Sequence, residues 1–190
     1  MKILAFGTSN NPQSINRSLA GYTAGLLAGS QAEVEVEMLD IHDYEMPLFS
    51  DAREQALGQP PQALAFRQKI SAADALVVSF AEHNGSYTAA YKNLFDWTSR
   101  INRAIFQDKP VVYLATSPGP GGAANVLAAA VGSASHFGAK VIASVSVPRF
   151  HDNYDAELGA ITDAKLQAAL AQAMQQLGDA VSESQTAITS

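Results

Sequence analysis

The chain has 190 residues, 47% of them hydrophobic and 16% charged, with a net charge of −6 and no cysteine. That length and balance suit one α/β domain with a full core and exclude a disordered chain. The acidic balance, with no basic run, argues against nucleic-acid and membrane-surface partners. The absence of cysteine excludes disulfides, thiolate nucleophiles and cysteine-ligated metals.

A short apolar run at 2–6 predicts the first strand. It stops at Gly7, too early for a secretory signal, and no stretch reaches transmembrane length, so a cytoplasmic location is expected. Leu19, Leu26 and Leu27 mark a helix over 14–29. Residues 33–39 alternate acidic and apolar, which predicts an edge strand with Glu33, Glu35 and Glu37 on a solvated face. Residues 40–59 carry Pro47, Gly58 and several acids and read as a long surface loop. Pro60-Pro61 opens a helix over 62–72, and a strand follows at 75–80.

Tyr87, Tyr91, Leu94, Phe95 and Thr98 recur at helical spacing and predict a helix over 86–106, whose aromatic residues pack against core or a partner subunit. A strand at 111–116, a helix over 121–137 and a strand at 140–147 follow. Residues 148–159 read as a loop, 162–178 as a helix, and 181–190 as a frayed tail beyond a domain spanning 1–180. Apart from the run at 33–39, the strand runs are nearly continuously apolar, as in strands covered on both faces. The repeated βα alternation argues for a doubly wound parallel sheet with right-handed crossovers.

In such sheets ligands sit beyond the carboxyl ends of the strands, so the turns after the first, third and fourth strands carry the argument. The first turn, residues 7–17, is dense in hydroxyl and amide groups and opens a helix whose free N–H groups suit a phosphate. Thr8, Ser9, Ser14, Ile15 and Asn16 are its candidates. It has neither dinucleotide nor nucleoside-triphosphate glycine spacing, so a terminal monophosphate fits best. The competing reading is local: Ser14 caps the helix and Asn10–Pro12 is a turn.

The second turn offers Glu82, His83, Asn84, Gly85 and Ser86, with Gly85 allowing close backbone approach and His83 able to cover a flat ring. An ordinary helix start capped by Ser86 is the alternative. The third turn offers Ser117, Pro118, Gly119 and Gly122, and its alternative is a flexible connector. No side chain is singled out as catalytic. No acidic or histidine cluster has metal spacing, and no serine sits in a nucleophile elbow.

These residues resemble the NAD(P)H-dependent FMN reductases, a family with related quinone, azo-dye and chromate reductases. Gly7, Thr8, Ser14, Asn16 and Arg17 follow the family's Gly-Ser-x-Arg…Ser-x-Asn-Arg phosphate loop, with one extra residue and Asn10 where an arginine is usual. Residues 81–86 follow Pro-Glu-Tyr-Asn-Gly-Ser, with Ala81 for proline and His83 for tyrosine; Lys92-Asn93 and Asp96-Trp97 follow in step. Ser117, Pro118, Gly119, Gly121 and Gly122 resemble the family's third segment.

The resemblance implies a flavodoxin-like three-layer sandwich, with a five-stranded parallel sheet in order 2-1-3-4-5 and helices on both faces. It further implies bound FMN, NADPH or NADH as donor, and a small electron acceptor: a quinone, free flavin, azo compound or metal oxyanion. A homodimer or homotetramer built through the 86–106 helix is also implied. A flavodoxin-type electron carrier is the alternative, but the carrier's Thr/Ser-x-Thr-Gly-x-Thr loop and covering aromatics are missing.

Overall fold

The computed structural model describes residues 1–31 and 33–188, with the side chains of residues 185, 187 and 188 excepted. Five parallel strands form the sheet: β1 (Lys2–Gly7), β2 (Glu35–Asp40), β3 (Ala75–Phe80), β4 (Lys109–Thr116) and β5 (Ala139–Val147). Their spatial order is β2-β1-β3-β4-β5, the order the resemblance implies.

The strand sequences alternate between two cores. Leu4, Phe6, Leu76, Val78, Phe80, Val111 and Tyr113 point to one face. They pack there on α3 (Pro61–Ala72), α4 (Ala89–Ile101) and α5 (Ala124–Ser133). Ile3, Ala5, Ala75, Val77, Val112 and Leu114 point to the other face. They meet α1 (Ile15–Ser30) and a C-terminal helix (Ala164–Ile188) there. Each large apolar side chain so buried contributes about 1.5–3 kcal/mol, and together they hold the three layers.

Several expectations are corrected. The fifth strand, at the sheet edge as the 2-1-3-4-5 order implies, is not covered on both faces as its apolar run suggested: Lys140 and Ser144 are exposed and Val141, Ile142 and Val145 only half-buried. The 40–59 segment is partly ordered into a 3-10 turn (Ile41–Tyr44) and a short helix α2 (Asp51–Leu57), capped by Ser50 accepting from the Arg53 N–H at 3.2 Å. Residues 148–159 contain a helical turn (Phe150–Asn153) and one strand of a small hairpin, Tyr154–Asp155 paired with Ala160–Ile161. The predicted helix start at 86 gives way to a hairpin, and α4 begins at Ala89 behind a Thr88 cap. The C-terminal helix runs to Ile188, and Thr189 and Ser190, the end of the expected 181–190 tail, lie outside the described residues. Glu37 is not simply solvated: it accepts from Lys2 at 2.7 Å and Lys69 at 2.5 Å, and these bonds hold its carboxyl below the usual range.

The carboxyl ends of β1, β3 and β4 are tied together by a buried polar network. The Asn16 side chain donates to the Thr116 carbonyl at 3.2 Å and accepts from the Thr116 N–H at 3.2 Å and the Ser79 hydroxyl at 2.7 Å. Thr8 donates its N–H to the Ser79 carbonyl at 2.9 Å, and its hydroxyl oxygen accepts from the Ala81 N–H at 2.9 Å. The Thr88 hydroxyl donates to the Thr8 carbonyl at 2.5 Å. Replacing one partner in such a network leaves buried groups unpaired, which costs more than the bond itself contributes. Asn16→Ala is therefore expected to lower unfolding free energy by about 2–4 kcal/mol, measured by urea denaturation with the m-value unchanged. A loss under about 0.5 kcal/mol would show that the clamp does not hold the strand ends.

Candidate active site

The first turn builds itself from short-range bonds. The Ser9 hydroxyl oxygen accepts from the Asn11 N–H at 3.2 Å, the Asn11 side chain accepts from Gln13 N–H at 2.9 Å, and the Asn11 carbonyl accepts from Ser14 N–H at 3.0 Å. Ser14 then caps α1 by accepting from Arg17 N–H at 3.2 Å. The capping reading and the phosphate reading are thus not exclusive. Capping satisfies the third amide of the helix and leaves those of Ile15 and Asn16, in its first turn, without an acceptor among the described residues. Gly7 is required just below: a Cβ there would stand 2.4 Å from the Arg17 nitrogen, so only glycine lets α1 settle over the end of β1.

The second turn is a two-residue hairpin, Glu82–His83 paired antiparallel with Ser86–Tyr87. Asn84 (φ 52°) and Gly85 (φ 77°) occupy its left-handed corner, the Asn-Gly chemistry that a tight hairpin favours. The Glu82 carboxylate is engaged within the protein. It accepts from Val126 N–H at 2.9 Å and lies 3.5 Å from the Asn125 amide nitrogen, at the start of α5. That helix has no cap of its own, since Ala123 stands at its N-cap in the left-handed region. Glu82 supplies the missing acceptor and negative charge from another turn.

The glycine argument for the third turn also changes. A Cβ on Gly122 would lie 2.3 Å from the Ser146 hydroxyl oxygen and 3.0 Å from the Pro148 nitrogen, so packing against the segment around the end of β5 by itself requires glycine here. Ser146 completes that contact by donating to the Gly122 carbonyl at 2.8 Å.

A cleft of about 300 Å³ opens where these turns meet. Ser9, Ser14, Ile15 and Asn16 line it from the first turn, Glu82 and His83 from the second, and Ser117 and Pro118 from the third. Thr8 is fully buried beneath the cleft. Asn84, Gly85 and Ser86 are exposed on the hairpin beyond its lining, and Gly119 and Gly122 stand behind it. The Asn16 side chain is held in the clamp through its oxygen and one N–H, and its backbone N–H has no acceptor among the described residues.

Asn10 donates to Glu45 at 3.0 Å, and Arg17 is joined to Asp40 at 2.6 Å. The described residues lining the cleft therefore include no lysine or arginine. His151, which sequence reasoning passed over inside a presumed loop, also lines it. Its only advance signal was its place just after the last strand. His83 stands on the boundary with a second cleft of about 410 Å³, whose apolar wall includes Ile41, Tyr44, Met46 and Leu48. The segment forming that wall is held by Asn93, which accepts from Phe49 N–H at 2.8 Å, and by Trp97, which donates to the Pro47 carbonyl at 2.7 Å. Burial pushes the Tyr91 and Tyr113 hydroxyls up, so both stay protonated, but neither lines either cleft.

The donor set suits a phosphorylated, ring-bearing ligand. Two amides without acceptors at the start of a 16-residue helix match a phosphate, and the Ser9 and Ser14 oxygens have accepted backbone bonds while keeping hydroxyl protons to donate. Comparison with known proteins agrees. The family profile described as NADPH-dependent FMN reductase matches residues 1–152. An NAD(P)H-dependent FMN reductase of Pseudomonas aeruginosa is 34% identical over 124 residues, 65% of this chain and 64% of that protein. An NADPH:quinone oxidoreductase of Arabidopsis thaliana is 32% identical over 122 residues, 64% of this chain and 61% of that protein. The alignments thus span less than two thirds of the length of these curated relatives. Among solved structures, the flavoenzyme NAD(P)H:(acceptor) oxidoreductase FerB of Paracoccus denitrificans superposes with a TM-score of 0.77 at 25% identity, over 96% of this chain and 97% of that one. The fold, the three convergent turns and a profile match running from the first residue through the turn after β5 agree: the chain belongs to the NADPH-dependent FMN reductase family.

Proposed function

We propose that the chain binds FMN in the cleft and passes reducing equivalents from NADPH or NADH to a small quinone-like acceptor. The observation that carries this reading is the convergence of the first three turns on one polar cleft, with the Ile15 and Asn16 amides open at its floor. The names of the quinone reductases among its relatives support the acceptor class. FMN, when bound, supplies the hydride chemistry between donor and acceptor.

The chain's own residues bind and orient. The amides of Ile15 and Asn16 and the hydroxyls of Ser9 and Ser14 hold the phosphate end. The His83 side and the Ser117–Pro118 side flank the ring. The second cleft, sharing His83 as a wall, gives room for nicotinamide and acceptor to occupy one place in turn, and proximity there supplies rate. No side chain lining the cleft is needed as acid or base.

Assembly as a homodimer or homotetramer through α4 belongs to the same reading. An apolar groove of about 280 Å³ beside that helix, lined by Tyr87, Tyr91, Phe95 and Phe137, supports it. The family match does not favour the electron-carrier alternative.

Purified protein incubated with FMN and desalted is expected to keep a flavin absorption band that NADPH bleaches anaerobically and a quinone restores, with no partner protein added. No spectral or thermal sign of association at saturating FMN overturns the reading. Glu82→Ala removes the link between the second turn and α5. It is expected to cost about 1–2 kcal/mol of stability and to weaken FMN binding, whereas Glu82→Gln, which keeps an acceptor, costs less. Thermal denaturation and flavin fluorescence titration of both variants check this, and equal losses would show that charge rather than hydrogen bonding matters.

A further inference from the structure

In the first turn the Asn10 side chain is engaged with Glu45, and Arg17, the cation of that turn, is paired with Asp40. A phosphate in the cleft therefore meets neutral donors from the first turn. Among the described residues lining the cleft, the side chains able to carry positive charge are two histidines, His83 and His151.

His151 is held toward the cleft by a braced turn. Arg149, at φ 48°, reverses the chain in the left-handed region that an L residue seldom adopts, and three bonds keep it there. Its N–H donates to the Gly119 carbonyl at 2.9 Å, the Phe150 N–H donates to the Ser117 carbonyl at 3.1 Å, and Asn153 donates to the Pro148 carbonyl at 2.9 Å. The Phe150 ring stands edge-on to the imidazole at 5.6 Å. This fourth turn is thereby fastened to the third, whose Thr116 is clamped by Asn16 of the first. His83, by contrast, stands on the boundary with the second cleft.

We propose that His151 is a phosphate-binding residue of this cleft, giving the phosphate a side-chain donor from the fourth turn where the first turn offers no cation. The proposal rests on the FMN reading above. The other charged groups around the site are Arg149 and Asp152 on the same turn, Glu82 and His83 across the cleft, and the Arg17–Asp40 pair behind the first turn.

The test is the ratio of FMN to riboflavin affinity for the full chain, measured by flavin fluorescence titration, since riboflavin lacks only the phosphate. Replacing His151 by alanine is expected to lower that ratio about tenfold, the loss of one hydrogen bond to a charged group, while riboflavin affinity stays within about twofold. A ratio unchanged in His151→Ala, or an equal loss of riboflavin affinity, overturns the proposal while leaving FMN binding intact. Failure of FMN to bind at any pH overturns the proposal together with the reading it rests on.

Discussion

Everything at the carboxyl edge of the sheet depends on how Asn16 is satisfied. One amide side chain, 3% exposed, meets the N–H and the carbonyl of Thr116 and the hydroxyl of Ser79. It thereby makes the start of α1 a fixed part of β3 and β4. A primary amide suits the place because it offers a donor and an acceptor side by side, matching the two backbone groups of one residue. Thr8 and Thr88 repeat the device on the other side, through Ser79, Ala81 and the Thr8 carbonyl. The turns that flank the cleft are rigid because these polar groups, buried away from water, cannot be released without leaving partners unpaired.

On the reading proposed above, that rigidity serves recognition. The amides of Ile15 and Asn16 are fixed in direction by the helix and in position by the clamp, so an anion meets donors already oriented. Most polar residues at the turns hold the frame rather than the ligand. Ser14 caps, Glu82 reaches across to α5, Asn93 and Trp97 hold the wall of the neighbouring cleft, and Gly122 yields space to Ser146. Backbone groups and a few hydroxyls remain to face the cofactor of the family. This division suits a site in which the flavin performs the chemistry and the protein sets geometry and charge.

The charge balance of the cleft follows from how its neighbours are paired. Asn10 turns to Glu45, and Arg17 is joined to Asp40. On the proposed reading, electrostatic support for a phosphate then falls to the start of α1 and its dipole.

The order of strands and helices, the sheet interior and the turns worth inspecting were legible in the residues. Apolar runs such as Leu76–Val78 and Val111–Leu114 can be satisfied only between two covered faces, and periodicity is a local property of the chain. The Asn-Gly corner at 84–85 and the Ser50 cap were equally local, though the sequence alone reads the first as a ligand-facing turn before a helix and places the second in a surface loop. What only the tertiary structure decided was which side chain meets which. Asn16 reaches Thr116 across a sequence separation of 100, Glu82 reaches Val126, and His151 joins a cleft built mostly from residues far before it. No spacing rule along the chain encodes such contacts, because they arise when distant strand ends are brought to one edge by packing on both faces of the sheet.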